Sequence, residues 1–151
     1  MITTDSIFNI QSEADFKAAA LDVFKFQFEN NSVYRSFCDL LYIHPSTVTS
    51  VEQIPFLPIE FFKSRNIVSN NKPAEATFTS SGTTASVLSK HYVSDLEVYK
   101  RSFRNGFESF YGSIEDYTVL ALLPSYLERE GSSLVYMAND MIEQSKQPES
   151  G

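Results

Sequence analysis

Residues 75–93 read EATFTSSGTTASVLSKHYV, and this stretch decides the fold class of the chain. Two short runs, 75–79 and 88–93, are rich in β-branched and aromatic residues and are typical of strands. Between them lies a polar loop, 80–86, with the serine, threonine and glycine content of a turn. The sequence therefore predicts a strand–loop–strand unit over residues 75–93.

Helices are predicted before this unit. Ser12–Asp15 has the form of a helix-capping box, and apolar residues then recur at three- and four-residue spacing to about Glu29. A second amphipathic pattern follows and ends before Pro45, because proline cannot continue a helix. We therefore expect a helical lead-in over residues 1–45.

The chain after the unit alternates between helix and strand patterns. A capping box at Ser94–Glu97 starts a long amphipathic helix that should end at Gly112. Tyr117–Leu123 is a continuous apolar run, the pattern of a strand buried on both faces of a largely parallel sheet. A last helical pattern covers Leu134–Ile142, and the polar residues 145–151 predict an unstructured tail.

These elements predict an α/β fold, with the helical lead-in followed by a small mixed or mostly parallel sheet and flanking helices. With 151 residues and 42% hydrophobic content, the chain is long enough for one sizeable core, so we expect a single domain over 1–151. A single cysteine, Cys38, excludes an internal disulfide framework and a multi-cysteine metal site.

The charge and hydropathy of the chain exclude several classes of partner. Its 12 basic and 19 acidic residues give a net charge of −7, which repels nucleic acid and anionic lipid. No apolar run approaches the roughly 18 residues of a membrane span, and the N-terminus lacks the pattern of a secretory leader. We expect a soluble, cytoplasmic protein.

The loop concentrates hydroxyl groups around one glycine. Glycine lets the backbone turn tightly, so that amide hydrogens can point at one anion. The Gly-Lys-Ser/Thr ending of an NTPase P-loop is absent. On composition alone, a Ser/Thr-rich surface turn stays open as the simpler interpretation. The candidate polyphosphate-binding residues are Thr79, Ser80, Ser81, Gly82, Thr83 and Thr84.

The order Ser-Ser-Gly-Thr-Thr after a short strand resembles the nucleotide-binding signature of the acyl-adenylate-forming superfamily of acyl-CoA synthetases and ligases. Within it, further blocks are similar to the acyl-protein synthetase (LuxE) family. These blocks are Ile54–Lys63, Ser89–His91, and Leu122–Leu127 with Ser132–Leu134. The resemblance implies the N-terminal part of an adenylate-forming domain. Ala85 departs from it, since many superfamily members have a second glycine there.

The resemblance implies ATP-dependent activation of a fatty acid carboxylate to an acyl-adenylate, followed by transfer to a thiol. It implies ATP and Mg²⁺ as cofactors, a fatty acid or another carboxylate as substrate, and an acyl-acceptor or reductase protein as partner. Lys90 is the candidate cation beside the departing pyrophosphate, with a solvated strand-edge lysine as the alternative. His91 is the candidate for facing a carboxylate or acyl pocket, because neighbouring strand residues point to opposite faces.

Two other features resemble functional groups of the family but have structural interpretations. Tyr111–Glu115 is superficially similar to the superfamily's ribose- and magnesium-binding element, yet Ile114 replaces its threonine and Gly112 serves to end a helix. The family's acceptor cysteine lies near its C-terminus, whereas Cys38 lies on the apolar side of an early helix. We therefore expect Cys38 to be a buried structural thiol.

Two alternatives to an acyl-protein synthetase stay open. The superfamily's ribose-binding and lid residues have no counterpart here, so we expect an incomplete domain, and a catalytically inactive nucleotide-binding or protein-interaction fragment is the first alternative. An acyl- or aryl-CoA ligase is the second. An uncovered sheet edge would favour a homo-oligomer. Whether the pathway is bioluminescence or another lipid pathway also stays open.

Overall fold

The computed structural model describes residues 3–80, 87–122 and 131–151. It is helix-rich and has one small sheet. The chain forms two compact units, Met1–Pro73 and Ala74–Gly151, while the prediction of one incomplete domain stays a prediction. None of the described helices is long and apolar enough to cross a membrane. The helices and strands are α1 Thr4–Phe8, α2 Glu13–Asn30, α3 Ser32–Leu40, α4 Phe61–Ser64, β1 Ala76–Thr79, β2 Lys90–Val93, α5 Leu96–Tyr111 and α6 Ser133–Ser145, with 3₁₀ turns at Val51–Gln53 and Ile114–Asp116.

Helix α2 begins where its capping box predicts. The Ser12 hydroxyl accepts a hydrogen bond from the Asp15 backbone N–H at 3.1 Å and donates one to the Asp15 carboxylate at 2.7 Å. Because the bond from Ser12 stabilises the charged carboxylate, it holds the pKa of Asp15 below its ordinary value, with the Gln11 backbone N–H adding to the effect. The predicted first helix of the lead-in is confirmed.

The core of the N-terminal unit forms between α2 and α3. Asn31 ends α2 and caps α3, since its side-chain oxygen accepts the Tyr34 N–H at 3.1 Å. Phe24 packs edge-on against Tyr34, and Cys38 is fully buried in the same cluster. Burial raises the pKa of the Cys38 thiol, so the side chain stays neutral and apolar. The prediction of a buried structural thiol is confirmed.

The sheet of the C-terminal unit pairs β1 with β2 in antiparallel register, with Thr79 opposite Lys90 and Phe78 opposite His91. The two strands predicted within 75–93 are present as β1 and β2, whereas the loop residues 81–86 lie outside the described residues. The predicted mixed or mostly parallel sheet is not confirmed. The strands in the described part of the chain are β1 and β2, and they pair antiparallel. A loop as short as 80–89 joins antiparallel neighbours, whereas parallel pairing needs a longer crossover.

Helix α5 packs against this sheet and against α6. Its N-cap is Asp95, which accepts the Val98 N–H at 3.1 Å, and not Ser94 as the sequence predicts. The Glu75 carboxylate accepts the Leu96 N–H at 2.8 Å and so fixes the first turn from outside the helix. The helix ends at Gly112, whose φ of +83° favours glycine, as predicted.

Two contacts between side chains join α5 to α6. The Phe78 ring of β1 packs against both Tyr99 and Tyr136, at centroid distances of 5.0 and 5.4 Å. Arg104 donates two hydrogen bonds to the Asp140 carboxylate, at 2.8 and 2.6 Å. The Asp140 side chain is 9% exposed and that of Arg104 is 35% exposed, so this bidentate pair is partly shielded from water where it joins the two helices.

The apolar run before residue 123 differs most from its prediction. Tyr117–Leu122 belongs to no strand, and Leu120 and Leu122 are 77% and 103% exposed. Gly151 donates to the Val119 carbonyl and accepts from the Ala121 N–H, at 3.0 and 2.8 Å. The predicted burial on both faces is therefore wrong for residues 117–122, because no described element covers the leucine face.

The C-terminal residues are more ordered than their polar composition predicts. Ser145 is 1% exposed, and its hydroxyl shares a hydrogen bond with that of Ser150 at 2.8 Å. The Ser150 hydroxyl also accepts the Val119 N–H at 3.0 Å. The prediction of an unstructured tail is wrong, since these polar side chains find partners within the unit.

Candidate functional site

The candidate site lies where β1 and β2 meet the 80–86 loop. The Ser80 N–H donates to the Ser89 carbonyl at 3.1 Å, and the Ser89 N–H donates to the Ser80 hydroxyl oxygen at 3.1 Å. These bonds close the base of the loop just beyond the Thr79–Lys90 pair. The Ser80 hydroxyl accepts here, and its own hydrogen can still be donated. The loop therefore starts and ends at fixed points.

Lys90 and His91 lie on opposite faces of the strand pair. Residues directly opposite each other in an antiparallel pair share a face, so Lys90 shares one with Thr79, and His91 shares the other with Phe78. Both side chains are exposed. A ligand held over the Thr79 face can thus meet the Lys90 ammonium, whereas His91 serves the other face.

Gly131 lies directly beside the site, and the sequence analysis did not find it. Thr79 donates its N–H to the Gly131 carbonyl at 2.8 Å. A methyl group on Gly131 would lie 3.2 Å from the Thr79 Oγ1, and the glycine has a φ of +79°. Only glycine fits both the close approach and this backbone conformation without strain. The sequence signal for Gly131 is its position directly before Ser132, the N-cap of α6.

Part of the predicted phosphate loop cannot be placed. Ser81, Gly82, Thr83 and Thr84 lie outside the described residues, so their predicted role stays a prediction. The predicted site residues that the structure brings together are Thr79, Ser80 and Lys90, whereas His91 lies on the opposite face of the strand pair.

The donor set of the described residues fits a polyphosphate better than it fits a metal. Thr79 and Ser80 supply hydroxyls and Lys90 supplies a positive charge, which are groups that bind phosphate oxygens. Within 3–80, 87–122 and 131–151, no group of three or more His, Cys, Asp or Glu side chains could hold a metal ion. Ligands for Mg²⁺ are therefore not assigned.

Tyr111–Glu115 has the structural role that its glycine predicts. Gly112 ends α5, and Ser113 caps the following 3₁₀ turn. The Glu115 carboxylate pairs with the Lys146 ammonium at 2.5 Å on the surface, and the Glu115 carbonyl accepts from the Gln147 side chain at 2.7 Å. Both contacts hold the C-terminal residues in place.

Comparisons with known proteins identify the family that this chain resembles. The profile of the acyl-protein synthetase LuxE family matches residues 7–108. The long-chain-fatty-acid–luciferin-component ligase of Photorhabdus luminescens is 34% identical over 68 residues, which make up 44% of this chain and 58% of the relative. The matched segment thus spans little more than half of that relative. No solved structure matches the chain.

The family match covers well over half of the chain and contains the site. Residues 7–108 include α2, α3, both strands and the 80–86 loop between them. They also include Ile54–Lys63 and Ser89–His91, two of the blocks on which the resemblance rests, whereas Leu122–Leu127 and Ser132–Leu134 lie outside the match. The chain therefore belongs to the acyl-protein synthetase LuxE family.

Proposed function

We propose that the strand–loop–strand unit binds the β- and γ-phosphates of ATP in a carboxylate-activating reaction. One observation carries the proposal: the register places Lys90 opposite Thr79, at the base of a loop rich in hydroxyl groups. The ammonium group supplies the charge that an anionic ligand requires.

The proposed chemistry is adenylation followed by acyl transfer. A carboxylate oxygen of the acid forms a bond to the α-phosphorus of ATP, and the bond between that phosphorus and the leaving oxygen breaks. Pyrophosphate departs, and Lys90 and the loop stabilise its charge. Mg²⁺, when bound, would offset more of that charge. A thiol then attacks the acyl carbonyl carbon, and AMP leaves with the electron pair.

The proposed acid is a long-chain fatty acid. The support is the name of the Photorhabdus luminescens relative, a long-chain-fatty-acid–luciferin-component ligase. We propose a protein thiol as the acyl acceptor, because the chain belongs to a family of acyl-protein synthetases. Cys38 is not that acceptor, since a fully buried thiol with a raised pKa cannot act as an exposed thiolate.

A second candidate function is nucleotide binding without catalysis. It is favoured by the donor set of Thr79, Ser80 and Lys90, which can bind phosphate oxygens whether or not turnover follows. The two candidates share the phosphate loop and differ in turnover. One set of measurements can separate them.

Titration calorimetry with ATP and Mg²⁺ tests the shared part. We expect Lys90→Ala to weaken ATP binding about five- to tenfold, the loss of one charged contact, and Gly82→Val to abolish it. Lys72→Ala is the matched control, because Lys72 is an exposed lysine outside the strand pair, and it should bind as the unchanged chain does. The proposal is wrong if ATP does not bind, or if both lysine variants lose the same affinity.

Exchange of labelled pyrophosphate into ATP then separates the candidates. Exchange that depends on a long-chain fatty acid and is lost in Lys90→Ala supports adenylation. ATP binding without exchange, with any carboxylate, supports the non-catalytic candidate instead. The exchange measurements use the same variants as the calorimetry, so the ATP binding of each variant is already known.

A further inference from the structure

Gly131 contacts the candidate site from outside the strand pair. Successive backbone N–H groups of a strand point to opposite edges, and the Ser80 N–H donates toward β2, to the Ser89 carbonyl at 3.1 Å. The Thr79 N–H therefore points away from β2, where the Gly131 carbonyl accepts it at 2.8 Å. The last residue of β1 and the first residue of the loop are thus held from opposite sides.

Helix α6 fixes the position of Gly131. Ser132 directly follows it and caps the helix, because its hydroxyl oxygen accepts the Val135 N–H at 3.4 Å. Val135 is buried, and the neighbouring Tyr136 ring packs on Phe78 of β1 at a centroid distance of 5.4 Å. The first turn of α6 is therefore packed against β1, which leaves the Gly131 carbonyl little freedom to move away from the strand.

The space beside Gly131 is occupied by the Thr79 side chain. A methyl group on Gly131 would lie 3.2 Å from the Thr79 Oγ1 and 3.5 Å from the Thr77 carbonyl oxygen. Threonine is branched at Cβ and has few allowed χ1 values, so its hydroxyl has little freedom to move aside without turning to another rotamer. Thr79 shares a face of the strand pair with Lys90. A side chain at position 131 would thus displace a hydroxyl of the proposed phosphate site.

We infer that Gly131 is a positioning residue of the phosphate site and acts through Thr79. Its carbonyl holds the Thr79 backbone, and its missing side chain leaves the Thr79 hydroxyl in place on the face shared with Lys90. Gly131 itself need not touch the ligand. This role rests on the proposed binding of the ATP phosphates by the same site.

Titration calorimetry of the full chain with ATP and Mg²⁺ tests the inference. We expect Gly131→Ala to weaken ATP binding about fivefold, the typical effect of losing one hydrogen bond. Gly112→Ala is the matched control, since Gly112 has a φ of +83° and nothing within 4 Å of an added methyl group. It introduces similar backbone strain in the same unit without a contact at the site, so it should leave ATP affinity unchanged. Equal losses of ATP affinity in the two variants would overturn the inference.

The double variant Thr79→Ala/Gly131→Ala separates a positioning role from a general loss of structure. Thr79→Ala alone should weaken ATP binding about fivefold, because it removes the hydroxyl. Adding Gly131→Ala should then cause no further loss, since no Oγ1 remains to be displaced. Losses that multiply, to about 25-fold, would show that Gly131 acts independently of Thr79, and the inference would be wrong.

Gly131→Asn is the second variant in case Gly131→Ala does not fold. Asparagine tolerates a positive φ better than alanine does, but it brings the same Cβ. It therefore keeps the contact with the Thr79 Oγ1 at lower backbone strain. Gly131→Asn should weaken ATP binding as Gly131→Ala does, and an unchanged affinity would contradict the positioning role.

The outcomes distinguish this role from the proposed function. If the unchanged chain binds ATP and Gly131→Ala binds it equally well, the positioning role is wrong and the phosphate site stands. If the unchanged chain does not bind ATP, the phosphate site is wrong and the positioning role fails with it.

Discussion

The α2–α3 pair buries Phe24, Phe28 and Tyr34, whereas the run Tyr117–Leu122 exposes its leucines. Phe28 is 4% exposed and Leu122 is 103% exposed, although both belong to strongly apolar segments. A helix satisfies its own backbone, and α2 and α3 are neighbours in sequence, so their packing needs only local residues. A buried strand needs partners on both edges, and these can come from anywhere in the chain. Apolar content thus predicts burial well only where the covering element is close in sequence.

The largest expected effect concerns the helix pair. Phe28→Ala should lower the free energy of unfolding by about 3–5 kcal/mol, because it leaves a cavity in the core and removes an aromatic ring. The ring lies 5.1 Å from that of His44 and 5.3 Å from the Arg35 guanidinium carbon. Urea unfolding followed by circular dichroism measures the change.

Leu40→Ala is the control for this prediction. Leu40 ends α3 and is 79% exposed, so its loss should change stability by less than about 0.5 kcal/mol. If Phe28→Ala costs no more than Leu40→Ala, the α2–α3 core does not stabilise the chain as its burial indicates.

The local elements of the fold could be predicted from the sequence. The Ser12 cap, the ends of α2 and α3, and the termination of α5 at Gly112 depend on residues within one or two turns. The choice of Asp95 over Ser94 could not be predicted, because Glu75, which lies just before β1, binds the first turn of α5. The error at this cap thus involves a partner that is distant in sequence.

The candidate site also has features that the sequence predicts and features that it does not. The two strands on either side of the loop followed from two strand patterns, but their antiparallel pairing, which aligns Thr79 with Lys90, was not predicted. The contact between Thr79 and Gly131 could not be predicted, because no local sequence pattern links the two segments.

A medium effect is expected from the long-range contact at the site. Gly131→Ala should destabilise the chain by about 1–2 kcal/mol, since alanine is strained at a φ of +79° and its methyl group meets the Thr79 Oγ1. Thermal unfolding measures the loss.

The control for this change has the opposite expected sign. Gly106 lies inside α5 with nothing within 4 Å of an added methyl group, so Gly106→Ala should stabilise the chain by about 0.5–1 kcal/mol. Equal effects of the two substitutions would show that the β1–Gly131 contact does not hold the strand.

The smallest expected effect tests most directly whether the leucines of the Tyr117–Leu122 run are exposed. Leu120→Ser should change the free energy of unfolding by less than about 0.5 kcal/mol, because Leu120 is 77% exposed. If the run were a strand buried on both faces, as its sequence predicts, the same change would cost at least the roughly 2–5 kcal/mol of a buried leucine truncation. Val135→Ala in α6, where the valine is 5% exposed, calibrates the response of a buried side chain in the same unit. A loss for Leu120→Ser as large as for Val135→Ala would show that the leucine face is covered in solution, and the sequence pattern would then be the better guide.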